Sequence, residues 1–407
     1  MMSAFEKKVA RIIEHVRQKG DRALIRFTRD YDHVRIREGA IRVTKDEIRD
    51  ALEETGADFA RFVRRIARNI ASYHRKQRPA ARFFKNIHGA KVGWFYLPVE
   101  RVGVYLPAGT APLVSTALMT LVPAKVAGVR EIVVATPPGK NGRVNPFLLA
   151  ACHELGARCI VRIGGAQAIA AMAFGTRSVP RVDMIVGPGN RYVTEAKRQL
   201  YGKVGIDMAA GPSEVAIIAD RSADPSFIAA DLLAQAEHDP LSAAVLFTPS
   251  VQLLRRVRRE IKNQVRSLGR KEILSKITAR GLRLVRCRSL RDAVAQVNQM
   301  APEHLQIIVG DPGEVLMGIR HAGAVFVGAC SPAVLGDYVA GPSHVLPTGG
   351  TARYSSVLSL DTFLKRVSVV RYGRSSLKKA SRAAERLAML EGLGAHARSI
   401  RIRLEKK

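Results

Sequence analysis

Apolar residues open the chain at helical spacing. Phe5, Val9, Ile12, Ile13 and Val16 fall on one face, and Phe59, Phe62, Val63, Ile66, Ile70 and Tyr73 repeat the pattern. Gly20 and Gly56 interrupt it. Residues 1–98 are therefore expected as a helical N-terminal segment. After Pro98 the period changes. Short runs suited to buried strands appear at 102–106, 132–135, 159–163 and 182–186, with helical stretches such as 115–127 and 145–155 between them. A second set follows at 215–219, 244–247, 282–285, 306–309 and 324–327, separated by helical patterns at 227–236, 252–268 and 290–300. Strands alternating with helices predict a parallel sheet with crossover connections. Two successive sets predict two related α/β domains, 99–210 and 211–345. Beyond His344 the pattern is irregular and then helical to about residue 390. The last residues, IRIRLEKK, read as a closing strand or a frayed end. Residues 346–407 are expected to form a C-terminal tail.

Composition narrows the class. At 407 residues the chain can bury two cores, and its longest apolar strings, such as VAIIA, are far too short to span a bilayer. The N-terminus lacks the apolar stretch of a signal peptide, which predicts a cytoplasmic protein. Four cysteines, Cys152, Cys159, Cys287 and Cys330, form no CxxC pair and read as reduced thiols. The net charge of +31 raises nucleic acid as a partner. The basic residues are spread along the chain, however, with modest clusters at 255–262 and 374–386, and no aromatic-interleaved basic motif accompanies them. A solvated basic surface is the simpler reading, with no nucleic-acid and no membrane partner.

Polar islands then stand out in the C-terminal half: QAEH at 235–238, APEHL at 301–305, GDYVAGPSH at 336–344 and EGLGAH at 391–396. Each joins a carboxylate or carboxamide to a histidine, the combination that binds metals and moves protons near neutral pH. Gln235 and His238 share one helix face, which equally suits a histidine at a helix end. Glu303 and His304 are adjacent, so on an extended chain they reach one site only through a turn. Asp337 and His344 flank a Gly-Pro loop, which equally suits a cap. Glu391 and His396 surround Gly392 and Gly394, as at a helix C-terminus. Upstream, GGAQAIAAMAFGT and GPGN each follow an expected strand and precede a helix, where α/β sheets bind phosphates. Neither fits GxGxxG.

Taken together, the segments VGVYLPAGTAPLVSTALM, RIGGAQAIAA, VGPGNRYVTEAKR, DMAAGPSEV, LLAQAEHDP, APEHL, LGDYVAGPSHVLPTGGTAR and EGLGAHA resemble the histidinol dehydrogenase family nearly end to end. The resemblance implies an α/β fold of two incomplete Rossmann-like parallel-sheet domains, a helical N-terminal segment and a small dimerisation tail. The first domain lies on the NAD side and the second on the zinc and substrate side. It implies one zinc per site, on Gln235, His238, Asp337 and His396. The same four residues, with Ser213, His304, His344 and Glu391, contact L-histidinol. Tyr105, Gln167 and Asn190 contact NAD. His304 is cast as the base for the hydroxyl, and Glu303 as the group that activates water for the aldehyde step. A homodimer is implied, with the tail contributing to the partner's site. Cys330 stands where the family usually has an aromatic residue, and GPSH replaces the commoner GPNH. The competing readings are a related dehydrogenase acting on another alcohol and, from the charge alone, a nucleic-acid-binding protein.

Overall fold

The chain starts with a capping box in which Ser3 and Glu6 exchange hydrogen bonds, and helix α1 (Ala4–Lys19) follows, burying Val9, Ile12, Ile13 and Val16. Gly20, at φ +51, ends α1 and begins α2 (Asp21–Asp32). A second capping box, Thr44 with Glu47, starts α3 (Lys45–Arg75), and Gly56 at φ +73 leaves the helical region within it. A residue with a Cβ would resist that conformation. The computed structural model describes residues 2–108, 113–237, 241–266, 268 and 281–405. They divide into two units, Met1–Gln77 with Glu100–Phe363, and Arg78–Val99 with Leu364–Lys407.

Strands β1 (Arg82–Lys85) and β2 (Lys91–Pro98) belong to the second unit. The first unit resumes with β3 (Arg101–Tyr105), α4 (Val114–Ala127), β4 (Glu131–Thr136), α5 (Pro146–Glu154), β5 (Cys159–Arg162), α6 (Gly165–Phe174), β6 (Met184–Val186), α7 (Arg191–Leu200) and β7 (Gly205–Ile206). These five strands pair in parallel in the order β5-β4-β3-β6-β7. The second sheet contains β8 (Glu214–Ala219), β9 (Ala243–Thr248), β10 (Leu282–Arg286), β11 (His304–Ile308) and β12 (Ala324–Val327). Its order, β10-β9-β8-β11-β12, is the same arrangement repeated, again all parallel. Helices α8 (Pro225–Ala236), α9 (Val251–Val265), α10 (Leu290–Met300), α11 (Gly313–Gly318) and α12 (Val334–Tyr338) accompany it.

The α/β class and both parallel sheets are thus as expected. Strand β8 shows why its run is continuously apolar. Val215, Ile217 and Ala219 enter one core cluster, while Ala216 and Ile218 enter another on the opposite face. Each sheet starts at its middle strand and winds outward in both directions. The order therefore reverses between β3 and β6 and again between β8 and β11, the topological switch points where open α/β sheets leave a crevice.

The second unit departs from expectation. Residues 82–98, read as part of a helical segment, contain two strands, and the helical reading after His344 misses β13 (Leu364–Arg371). Strands β1, β2 and β13 form an antiparallel sheet in the order β1-β2-β13. Neither β1 nor β13 carries a buried residue, so no clean apolar alternation marks them. Their pairing brings together segments far apart in sequence, which local pattern does not report. Helices α13 (Arg374–Leu390) and α14 (Gly394–Glu405) complete this unit. The terminal IRIRLEKK is helical through Glu405 rather than a strand or a frayed end. Among the described residues, no helix is long and apolar enough to cross a membrane.

At the first switch point β6 ends in Gly187, at φ +109, where an added Cβ would lie 2.2 Å from the Tyr105 carbonyl oxygen. Gly202 has φ +92 and nothing within 4 Å of its Cβ position. Gly202→Ala should therefore cost only the left-handed backbone, about 1–2 kcal/mol. Gly187→Ala adds a backbone clash and should lose clearly more, read as the difference between the two denaturant midpoints. Equal losses would show that the contact with Tyr105 relaxes freely.

Candidate active site

The second sheet carries its chemistry at its amino edge. His304 is the first residue of β11 and lies opposite Val215 of β8 and Ala324 of β12. Ala301, at φ +51, ends the preceding helix, and Glu303 lies at a bend directly before the strand. That bend answers the geometric difficulty of adjacent residues on extended chain. Glu303 and His304 are 6% and 5% exposed, and Glu303 Oε2 lies 3.6 Å from His304 Nδ1. Both therefore enter one buried site instead of a surface turn.

Glu214 grips this pair through its peptide groups. Its N–H donates to Glu303 Oε2 at 2.9 Å, and its carbonyl oxygen is 3.2 Å from His304 Nδ1. A carbonyl can only accept, so Nδ1 carries a proton, and whenever the ring is neutral its lone pair is on Nε2. Nε2 lies 3.8 Å from Asp337 Oδ1. His344 is set by the same logic. Its Nδ1 donates to the Asp337 carbonyl at 2.9 Å, and Nε2 accepts from the Thr116 hydroxyl at 3.2 Å. The ring of Phe326 stacks on His304 at 6.0 Å. A cavity of about 250 Å³ opens here, lined by Tyr73, His304, Phe326, Ser343 and His344 among others.

Burial pushes the Glu303 carboxyl up to about 8, and the nearby Asp337 and Glu214 carboxylates push the same way. The Glu214 N–H and the Ser213 hydroxyl pull it back by hydrogen bonding. Burial also raises Glu214. One of its carboxyl oxygens, Oε2, is buried without a hydrogen-bond partner.

The first sheet carries its candidates at the carboxyl edge. Tyr105 ends β3, 3% exposed, and its hydroxyl accepts from the Gly165 N–H at 3.1 Å. Burial pushes its phenol up to about 12. Gln167 is 2% exposed and sits in the first turn of α6, with its amide oxygen 2.7 Å from the Cβ position of Gly165. Asn190 caps α7, accepting from the N–H groups of Tyr192 and Val193 at 3.0 and 3.2 Å. Gly187, in the same turn, packs against Tyr105, so the Tyr105 and Asn190 segments meet at one switch point.

Of the four expected zinc ligands, Gln235 is in the last turn of α8, 6% exposed, and its amide nitrogen has no hydrogen-bond partner. Asp337 lies between the two imidazoles of His304 and His344. His238 falls outside the described residues. Among the described residues no three His, Cys, Asp or Glu side chains group to hold a metal. Glu391 and His396 are exposed in the second unit, at and just beyond the turn between α13 and α14. Cys330 is exposed, Cys159 half-buried, and Cys152 and Cys287 are buried. None takes part in the contacts around Glu303 and His304.

Sequence reading missed Glu214, Thr116 and Phe326. The clue for Glu214 was available: a carboxylate opens an otherwise apolar buried strand. Thr116 and Phe326 carry no local signal, because only the packing of α4 and β12 brings them to the histidines.

The histidinol dehydrogenase family model matches residues 1–404. Histidinol dehydrogenase from a Synechococcus species is 48% identical, covering 98% of this chain and 92% of its own. The enzyme from Moorella thermoacetica is 47% identical, covering 98% and 94%. The solved histidinol dehydrogenase of Elizabethkingia anophelis superposes with a TM-score of 0.94 at 36% identity, over 100% of this chain and 93% of that one. An acetylating aldehyde dehydrogenase from Geobacillus thermoglucosidasius, at TM-score 0.51 and 13% identity over 91% and 97% of the two chains, shares the fold alone. These similarities make the chain an oxidoreductase of the dehydrogenase class. Within that class, the chain belongs to the histidinol dehydrogenase family.

Because the folded Glu303 carboxyl titrates well above its ordinary value, its protonated form is the one that favours folding. That contribution is full below the unfolded value and is lost as pH rises through about 8. In metal-free protein, the denaturant midpoint should fall between about pH 5 and about pH 9. Glu303→Gln, neutral throughout, should flatten that fall. Parallel profiles for the two proteins would place the Glu303 carboxylate in water.

Proposed function

We propose that this chain catalyses the NAD-dependent four-electron oxidation of L-histidinol, through L-histidinal, to L-histidine, the last step of histidine biosynthesis. The observation that carries this reading is the buried Glu303–His304 pair held on the two sides of the Glu214 peptide. An alcohol-to-acid oxidation needs a base for the hydroxyl proton and, after the first hydride leaves, a base for the water that adds to the aldehyde. His304 Nε2, its lone pair directed by the Nδ1 contact, suits the first task. Glu303, raised toward working pH, suits the second, since a general base works best near the operating pH.

NAD supplies the hydride acceptor, two molecules for each histidinol. Tyr105, Gln167 and Asn190 are proposed to hold it at the first switch point. Gln167 and the Tyr105 hydroxyl offer neutral hydrogen-bonding groups there, and Gly187 lets the backbone approach closely. Zinc, when bound, supplies a fixed point for the substrate's imidazole and amine. Gln235, His238, Asp337 and His396 are proposed to hold it. The donor set fits: two imidazoles, one carboxylate and one amide oxygen suit zinc and leave room for substrate. Gln235 is buried at the end of α8, and its amide oxygen is the atom that would ligate. Ser213, His344 and Glu391 would line the remaining substrate surface. We propose a homodimer in which Glu391 and His396 complete the partner's site; both are exposed on the second unit.

Purified protein should form NADH with L-histidinol, two per substrate, as a species of two 44.5 kDa chains. A chelator should abolish turnover and zinc restore it, while His396→Ala should lower the zinc content. Full activity in a metal-free monomer would sink the composite zinc site. Oxidation of another alcohol or diol in preference to histidinol would favour the related-dehydrogenase reading.

The half-reactions separate the two bases. Glu303→Gln should still oxidise histidinol slowly to the aldehyde level but lose about 10²–10⁴-fold on histidinal, while His304→Ala should lose a similar factor on histidinol. Equal, mild losses in both steps for Glu303→Gln would remove its water-activating role. A collapse of the aldehyde step alone in Cys330→Ser would instead assign that step to a thiol.

A further inference from the structure

Lys197 of α7 and Asp207, just beyond β7, form an ion pair sealed from solvent, with side chains 2% and 0% exposed. Removing two charges from water costs more than their attraction returns unless the site satisfies them closely, so stability alone is a poor reason for such a pair. What the pair holds is more informative. Lys197 Nζ donates to the Gly187 carbonyl at 3.0 Å as well as to Asp207. Asp207 accepts from the Gly187 N–H at 2.7 Å and from the Met208 N–H at 2.6 Å. Both peptide groups of Gly187 are thus tied to the pair, and the same glycine is pressed on Tyr105. The chain leaving Asp207 stays pinned. Thr194 Oγ1 donates to the Ala210 carbonyl at 2.7 Å, and the Gly211 N–H donates to Thr348 Oγ1. It then reaches Ser213 and Glu214, whose N–H and carbonyl grip Glu303 and His304.

The segment from Asp207 to Glu214 therefore joins the carboxyl edge of the first sheet to the amino edge of the second, anchored at both ends. We propose that Lys197 and Asp207 are a positioning pair that sets the spacing between the cofactor turn at Gly187 and the catalytic residues at Glu214, bringing the hydride acceptor to the substrate carbinol. This rests on the proposed NAD reading. The pair is sealed from solvent, which closes it to substrate and cofactor. It acts through the Gly187 turn and the strut that begins at Met208.

The test removes both buried charges together. Lys197→Met with Asp207→Leu eliminates the desolvation cost along with the attraction, so the double variant keeps its thermal midpoint far better than Lys197→Met alone. A merely stabilising pair would leave a folded double variant catalytically normal. A positioning pair predicts a KM for NAD raised about tenfold and a kcat lowered at least as much, because misplacement of about 1 Å slows transfer steeply. The deuterium isotope effect on kcat with carbinol-deuterated histidinol should rise, as hydride transfer becomes more limiting. A folded double variant with wild-type KM, kcat and isotope effect overturns the proposal. Should the double variant not fold, Asp207→Asn keeps shape and one acceptor oxygen. It should show a smaller rise in KM and isotope effect, and unchanged values in it also overturn the proposal. Wild-type protein that neither binds nor reduces NAD would overturn the cofactor reading itself, a result distinct from normal wild-type turnover with unaffected variants.

Discussion

The peptide of Glu214 is the constraint on which the catalytic arrangement depends. One N–H and one carbonyl, fixed by β8 at the centre of the second sheet, orient a carboxylate and an imidazole from the neighbouring strand. Backbone groups suit this task because they cannot swing to another rotamer or change charge. The carbonyl selects the tautomer of His304, and the N–H keeps the Glu303 carboxylate aligned despite its burial. Desolvation works in the opposite direction and raises Glu303. The balance leaves a carboxyl poised near neutral pH rather than one locked in either form.

The two sheets share one winding order but present opposite edges to the chemistry. In the first, Tyr105, Gly165 and Gly187 gather at the carboxyl ends of the strands, the usual place for a ligand in an open α/β sheet. In the second, His304 and Glu214 stand at the amino ends. A short connection from β7 to β8 therefore spans from one reactive edge to the other, and hydrogen bonds fasten it along its length. Repetition of a single topology thus places the two candidate residue groups at unlike edges rather than at equivalent ones.

Surface charge plays little part in this arrangement. The ion pairs that basic residues do form are mainly at exposed positions, such as Arg17 with Glu14 and Arg398 with Glu405. Such pairs are worth about 0–1 kcal/mol each. The side chains placed against His304 include Glu303, Asp337 and Phe326. The fold and the site are legible without any appeal to a polyanionic partner.

The sequence by itself determined the α/β class, the positions of most strands in both parallel sheets and the helical start, and it singled out candidate polar residues. These are local properties: apolar period, capping residues such as Ser3 and Thr44, and short polar islands in an otherwise apolar chain. Only tertiary structure decided that Glu303 and His304 face one site, because the bend at Glu303 and the flanking strands set their directions. It alone recruited Glu214, Thr116 and Phe326, whose roles arise from neighbours distant in sequence. It also decided the β1-β2-β13 sheet, in which β2 pairs with β13 although residues 100–363 separate them in sequence. Local pattern records what each residue prefers. Which groups lose water together, and so which carboxyl is raised and which nitrogen keeps its lone pair, is settled only once the chain has packed.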